Sequence, residues 1–428
     1  MAVAAEAYLA RLRRQAGARI PVLLRDRPFR RYWSAQTISM FGDQIASLAM
    51  PLAAVLVLKA NAAEMGYLTA LVWLPSLLFG VHAGAWVDRH GHRRAAMIAA
   101  DLGRFGLLAT LPVADALGVL TLPQLYAVAF ATGALSVLFN VADSTLFVAL
   151  VPPDRYVEGN SLIYGSRALS LVGGPSISGL LVQWLTAPFA IAADAVSFLG
   201  SAALLRRIRV EEPPPAAPTE GALAAGARFI ASSPFIRACL CACATVNFFT
   251  TAFVTLFVLY AVRTLHVDAG VLGVVLGAGA VGGLVGAALA KRLSAGLGLG
   301  WTCAVGAFVF TAPLGLVPLA GGSKAAVLGM LFIAEFASDV GVMVFDISLG
   351  SIFAAAIPDS LRARVTGAFQ AVNFGTRPLG ALTAGGLATL VGVRPTLWIA
   401  VGGATLGFLW LLPVASSARE LDRPRREN

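Results

Sequence analysis

The chain has 428 residues, of which 58% are hydrophobic and only 13% charged; soluble domains carry about 25% charged residues, so an ordinary soluble globule is excluded. A net charge of +10 would suggest nucleic-acid binding in a soluble protein, but here the basic residues gather in alternate connections between apolar runs, which signals membrane orientation instead. Cys239, Cys241 and Cys243 alternate within one apolar run and, with Cys303, read as packing thiols rather than a disulfide framework or a metal site.

Residues 1–32 hold eight arginines interleaved with Leu9, Leu12, Ile20, Leu23 and Leu24. No apolar core with a small-residue cleavage site stands apart from the first span, so this is not a cleavable signal peptide. It reads as a cytoplasmic basic segment, either an amphipathic helix on the inner leaflet or an irregular tail. Spanning a bilayer core takes about 20 apolar residues, and the first half supplies such runs at 33–58, 65–87, 95–114, 122–149, 160–184 and 187–205. They predict an N-terminal six-helix bundle over 33–205. Between the second and third runs, Gly84, Asp88, Arg89, Gly91, Arg93 and Arg94 stand in the order G-x-x-x-D-R-x-G-x-R-R. A positive-inside connection explains the arginines, but not the acid at a helix end or the spaced glycines.

Residues 206–233 contain Glu-Glu-Pro-Pro-Pro-Ala-Ala-Pro at 211–218 and are too polar to cross, which makes them a cytoplasmic linker. Further runs follow at 235–262, 269–290, 299–319, 325–350, 361–391 and 395–414, predicting a C-terminal bundle over 234–415 and a cytoplasmic tail over 416–428. Six spans, a linker and six spans imply a duplication about an axis along the membrane normal. The odd-numbered connections hold only Lys59, Arg263, Lys324 and Arg394, and Arg104, Arg167 and Arg377 fall inside spans. The other basic residues lie on one side, with both termini, and that side is the cytoplasm. In the eighth span, Gly273/Gly277, Gly279/Gly283 and Gly282/Gly286 recur every four residues, as close helix packing requires.

A charge at mid-bilayer costs about 2.5–3.5 kcal/mol on insertion scales and needs a partner, water or a function. Two groups emerge when depth is counted at about 1.5 Å per residue. Near the cytoplasmic face of the first half lie Asp101, Arg104, Asp143 and Arg167, level with the Asp88–Arg93 loop. At mid-depth lie Asp43 and Gln44 in the first span, Asn140 in the fourth, Asn247 in the seventh, and Glu335 and Asp339 in the tenth. Glu335 and Asp339 are four apart and share a helix face, which Asp346 continues. A carboxylic acid deprived of water and of a cation keeps its proton until one of them arrives, which is the chemistry of proton exchange. The competing reading pairs Asp339 or Asp346 with Arg377. Phe41, Trp73, Phe139, Phe248, Phe249 and Phe336 lie near this layer and would suit a bulky, partly apolar ligand.

The loop at 84–94 resembles the signature loop of the major facilitator superfamily of secondary transporters. Further details resemble its branch of enterobactin exporters and macrolide efflux proteins: Gln36, Ser39, Gly42 and Asp43 in the first span, Asp101-x-x-Arg104 opening the third, Asp154 and Asn160 around the fifth, and Asp194-Ala-Val-Ser-Phe198 in the sixth. Gly173, Gly174, Pro175 and Gly179 resemble the family's antiporter motif. Three positions depart from the family pattern: residues 126–133 contain no arginine, His92 follows Gly91, and Ala290 fills the aspartate slot of the second-half loop. The resemblance implies an all-α protein of two pseudo-symmetric six-helix bundles in a bacterial cytoplasmic membrane, exporting a small amphipathic molecule by alternating access against protons. It also implies that the first, fourth, seventh and tenth helices line a central cavity. The cytoplasmic charge cluster would latch the helix ends, with Asp143 accepting from Arg93 or Arg104 and Asp88 anchoring the loop on the eleventh span.

No G-x-x-x-x-G-K-[ST] loop argues for an ATP-driven pump and no H-E-x-x-H pair for an intramembrane enzyme. The expected partners are a small-molecule substrate, protons and the lipid bilayer, with no nucleic acid, no metal and no cofactor, and the chain is expected to act as a monomer. A facilitator, an importer or a transport-dead sensor of the same fold would carry the same spans.

Overall fold

The computed structural model describes residues 21–210 and 222–417. Among these, twelve long helices lie where apolar runs were expected: α1 Arg27–Leu52, α2 Ala62–His90, α3 Arg93–Ala116, α4 Leu122–Leu150, α5 Tyr156–Trp184, α6 Ala187–Arg206, α7 Pro234–Arg263, α8 Ala269–Leu297, α9 Leu299–Thr311, α10 Lys324–Ala356, α11 Asp359–Val391 and α12 Val393–Leu406. No strand occurs among the described residues. Nine of the helices are long and apolar enough to cross a membrane; α5, α11 and α12 are not among them. α5 and α11 carry glycine, serine and arginine at many positions, which lowers their hydropathy. α12 loses regular α geometry after 14 residues, at Gly407.

Local chemistry sets the boundaries. Asp26 caps α1 by accepting from Phe29 N at 3.1 Å. Asn61 and Glu64 form a reciprocal capping box at the start of α2 (3.0 and 2.6 Å), satisfying donors the first turn leaves free. Gly91 ends α2 with φ 66°, a left-handed turn that favours glycine. Pro51 near the end of α1 precedes a π-helical segment, Ala53–Val57.

The halves repeat one packing scheme. In the first, α1 lies on α5 and α6, α3 on α4 and α6, and α2 on α4; in the second, α7 lies on α11 and α12, α9 on α10 and α12, and α8 on α10. The halves meet through α2 with α11 and α5 with α8. These crossings need glycine. A Cβ on Gly385 would lie 3.0 Å from the Ala62 carbonyl oxygen, and one on Gly179 would lie 2.9 Å from the Gly273 Cα. The α8 glycines therefore serve two faces, with Gly273 and Gly277 against α5 and Gly279, Gly282 and Gly286 against α10.

The hydrophobic core is shared by both halves only at the end opposite the linker, where Val55, Met65, Leu125 and Val182 join Leu256, Leu272, Val317 and Ala388. At the linker end each half has its own core: Phe29, Tyr32, Met97 and Leu146 in the first, Cys239, Cys303 and Ile352 in the second.

Two boundaries differ from the sequence reading. α1 begins at Arg27, inside the stretch 1–32 assigned to a basic segment, because Leu23, Phe29 and Tyr32 are buried in the bundle and Leu23 N donates to Glu158 Oε1 (3.1 Å). The linker 206–233 contains a helix, Ala222–Ser232, packed on α11. Its Ile230 is buried with Ile236, Ile357 and Val365, apolar residues that the neighbouring prolines obscured in the sequence. Residues 1–20, 211–221 and 418–428, and the side chains of Gly84, Asp88 and Arg89, lie outside the described residues, as do the expectations placed on them.

Candidate functional site

A cavity of about 810 Å³ lies between the halves, lined from α1, α2, α4, α7, α10 and α11 among others. All six mid-depth residues singled out from the sequence, Asp43, Gln44, Asn140, Asn247, Glu335 and Asp339, line it. A second polar cavity of about 840 Å³ belongs to the first half alone, between α1, α4 and α5. Asp43, Gln44, Arg104, Ser136 and Asn140 border both, so the two spaces adjoin.

Glu335 and Asp339 stand one turn apart on α10. Opposite them α8 offers no side chain: a Cβ on Gly279 would lie 3.0 Å from Asp339 Oδ2 and 3.2 Å from Glu335 Cβ. Ser338, between them, turns away and donates to the Phe310 carbonyl of α9 (2.6 Å). Among the described residues neither acid has an ion-pair partner; the three ion pairs are Asp101–Arg104, Asp154–Arg155 and Asp268–Lys324. Of the reading that tied Asp339 or Asp346 to Arg377, no ion-pair contact is present, and only Asp346 interacts with the guanidinium by charge, from beyond contact distance.

Arg377 is occupied by neutral groups. Its Nε and Nη2 both donate to Asn247 Oδ1 (3.1 and 2.9 Å), and Asn247 Nδ2 donates to the Cys243 carbonyl (2.9 Å) and Asn373 Oδ1 (3.2 Å). That bracing fixes which end of the Asn247 amide meets the guanidinium. The guanidinium carbon lies 4.1 Å from the centre of the Trp73 ring, on α2 of the opposite half, and Trp73 also stacks on Phe374 at 6.4 Å. Sequence reading found Arg377 and Asn247 separately but not their pairing, because two residues 130 positions apart leave no local trace.

The first half treats its charges differently. Asp101 and Arg104 are almost fully buried and bond to each other at 2.5 Å, one turn apart on α3. The guanidinium is sandwiched between Phe139 and Phe198, 4.5 and 4.0 Å from their ring centres. Arg104 is thereby committed, and Asp143 does not accept from an arginine as expected. It accepts from Tyr32 Oη (2.7 Å) and from Gln36 Nε2. Those donors are four apart on α1 and share a face, a spacing that could have flagged them. Asp194 is buried and accepts from Ser197 Oγ at 3.1 Å.

Arg167 shares the second cavity with Asp143 and makes no ion pair among the described residues. Arg94 donates to the Ile208 carbonyl, and Arg31 donates to the neighbouring Arg207 carbonyl at 2.5 Å, so both arginines cap the end of α6. Arg93 is buried at 3% exposure. In the antiporter-like stretch, Gly173 faces Phe41, Gly174 faces Gln44 on α1, and Pro175 and Gly179 face Gly273 on α8. Gly173 and Gly174 therefore pack within the first half, and Pro175 and Gly179 form the seam between the halves.

A sequence profile described as Major Facilitator Superfamily matches residues 32–338 and 240–428. No curated protein sequence matches the chain. Among solved structures, the chain is similar to a bacterial homologue of the human lysosomal transporter Spinster in an inward-facing, occupied conformation (TM-score 0.72, 15% identity, 94% of this chain and 99% of that one). It is also similar to the nucleoside transporter NupG (TM-score 0.70, 12% identity, 93% and 100%). A third similar structure is a bacterial homologue of the iron transporter ferroportin in an inward-facing state (TM-score 0.68, 16% identity, 91% and 99%).

Proposed function

The chain belongs to the major facilitator superfamily, and from that premise we propose that it exports a small amphipathic molecule by alternating access, in exchange for protons. It is a multi-pass membrane protein with a transporter fold and not an enzyme. The observation that carries the proposal is the acid pair Glu335 and Asp339, which opens on the cavity between the halves without a cationic partner among the described residues. Acids held that way take up and release protons as water reaches them from one side or the other.

In this reading all twelve helices span a bacterial cytoplasmic membrane, with both termini, the linker and the basic connections inside. The common core at the far end then closes the outer face, and the separate cores at the linker end belong to a cavity facing the cytoplasm. Asp43, Gln44, Asn140 and Asn247 complete the substrate wall. The signature loop (Gly84, Asp88, Arg89, Gly91, Arg93, Arg94) with Asp101, Arg104, Asp143 and Arg167 forms the inner gate, and one monomer is the working unit. The first-half motifs, which resemble those of enterobactin exporters and macrolide efflux proteins, support export as the direction.

Uptake of a fluorescent amphiphile into inverted vesicles, with and without an imposed pH gradient, tests the proposal. An exporter accumulates the probe only with the gradient, and Glu335→Gln combined with Asp339→Asn lowers that accumulation at least tenfold. Accumulation unaffected by the gradient points to a facilitator, and an unchanged rate in the double variant rejects the acid assignment.

A further inference from the structure

An arginine deep in a membrane protein ordinarily owes its place to a carboxylate, and Arg377 has none within ion-pair distance among the described residues. Its two hydrogen bonds go to one neutral oxygen, and its flat face rests on the indole of the opposite half. Nη1 makes no hydrogen bond among the described residues, and the side chain lines the central cavity. Asn247 is itself held by two acceptors, so the guanidinium is braced before any ligand arrives. The group is thus a fixed cation with one N–H edge unspent, and it faces a space whose far end is lined by Phe253, Phe257 and Val258.

Resting on the reading of this cavity as the substrate chamber, we infer that the transported molecule is an amphipathic organic anion whose carboxylate, sulfonate or similar group docks on Nη1 of Arg377, with its apolar body against the phenylalanines. A planar guanidinium suits such oxyanions better than an ammonium does. Asn247 acts as a positioning residue that presents the unspent edge. Trp73 ties the same guanidinium to the first half, so anion binding is felt at the contact between α2 and α11. The acid pair on α10 is left free for protons, and cargo and proton occupy different groups. Among the acids, Asp43, Asp194, Glu335 and Asp339 also border the cavity, and Asp346 lies beyond it on α10. None of these is in ion-pair contact with Arg377 among the described residues; Asp346 acts on it by charge from further off and leaves the Nη1 edge unbonded.

A matched pair of probes tests this on the full chain in phosphatidylcholine nanodiscs, with empty discs subtracted. 1-Anilinonaphthalene-8-sulfonate and N-phenyl-1-naphthylamine share an aromatic body and differ in the sulfonate. The sulfonate should bind at least tenfold more tightly, and that ratio should collapse toward one in Arg377→Gln while Arg377→Lys keeps part of it. Equal affinities in the unaltered protein, or a ratio unchanged in Arg377→Gln, would overturn the inference while leaving the chamber reading intact. Failure of both probes to bind would remove the chamber reading and the inference with it. Adding a minor fraction of phosphatidic acid to the discs identifies the source of the anion. Undiminished sulfonate binding supports a diffusible cargo, and competitive loss shows a lipid phosphate on the same guanidinium.

Discussion

The two halves share one packing scheme and handle most of their buried charge differently. In the first half three of the four deep acids are matched: Asp101 to Arg104, Asp143 to Tyr32 and Gln36, and Asp194 to Ser197. The fourth, Asp43, has no hydrogen bond or ion pair among the described residues. In the second, among the described residues, Glu335 and Asp339 have no ion-pair partner, and Arg377 touches no carboxylate, with Asp346 acting on it only from beyond contact distance. A repeated fold therefore does not imply repeated chemistry. Apart from Asp43, the first half supplies a frame, and the second holds most of the groups that a proton or a ligand can complete.

Stability measurements separate the two kinds of charge, starting with the largest expected effect. Asp101→Asn leaves the Arg104 guanidinium buried between two aromatic rings without its counter-ion, and breaking a buried pair costs about 3–5 kcal/mol. Chemical unfolding in mixed micelles should show a loss of that size; a loss under about 1 kcal/mol would mean the pair is hydrated. Tyr32→Phe removes one of two donors from Asp143, and hydrogen bonds to charged groups contribute about 1.5–3 kcal/mol. The same unfolding assay reads it, and a double variant with Gln36→Ala should lose more than either alone. Glu335→Gln with Asp339→Asn sits at the other extreme. No partner is lost and a desolvation penalty is relieved, so the unfolding midpoint should stay level or rise. A marked fall would show that these acids are structural, and the contrast between the halves would fail.

Much of the fold was legible because each helix needs its own apolar run, and glycines, prolines and arginine-rich connections punctuate those runs. The helix Ala222–Ser232 was missed because its apolar residues, Phe229 and Ile230, follow a polar, proline-rich stretch. The start of α1 was missed because arginines at 25, 27, 30 and 31 mask Phe29 and Tyr32. At the site, depth along a helix could be counted from sequence, so the cavity residues were found. Partners across helices could not, because rotation and tilt decide that Asp143 meets Tyr32 and Gln36, and neither is written in a single helix; only Asp101 and Arg104, three apart on α3, could have been paired locally. Arg377 shows the limit most clearly: its ligand Asn247 and its seat Trp73 come from two other helices, one of them in the other half.

The seams at Gly66–Gly385 and Gly179–Gly273 bring backbone against backbone where other interfaces interlock side chains. Along these two lines no side chain has to be unthreaded, whatever the larger residues of the shared core around them require. Such a joint is smooth to open and equally easy to jam, since a single methyl group at any of these four positions is a pebble in the track.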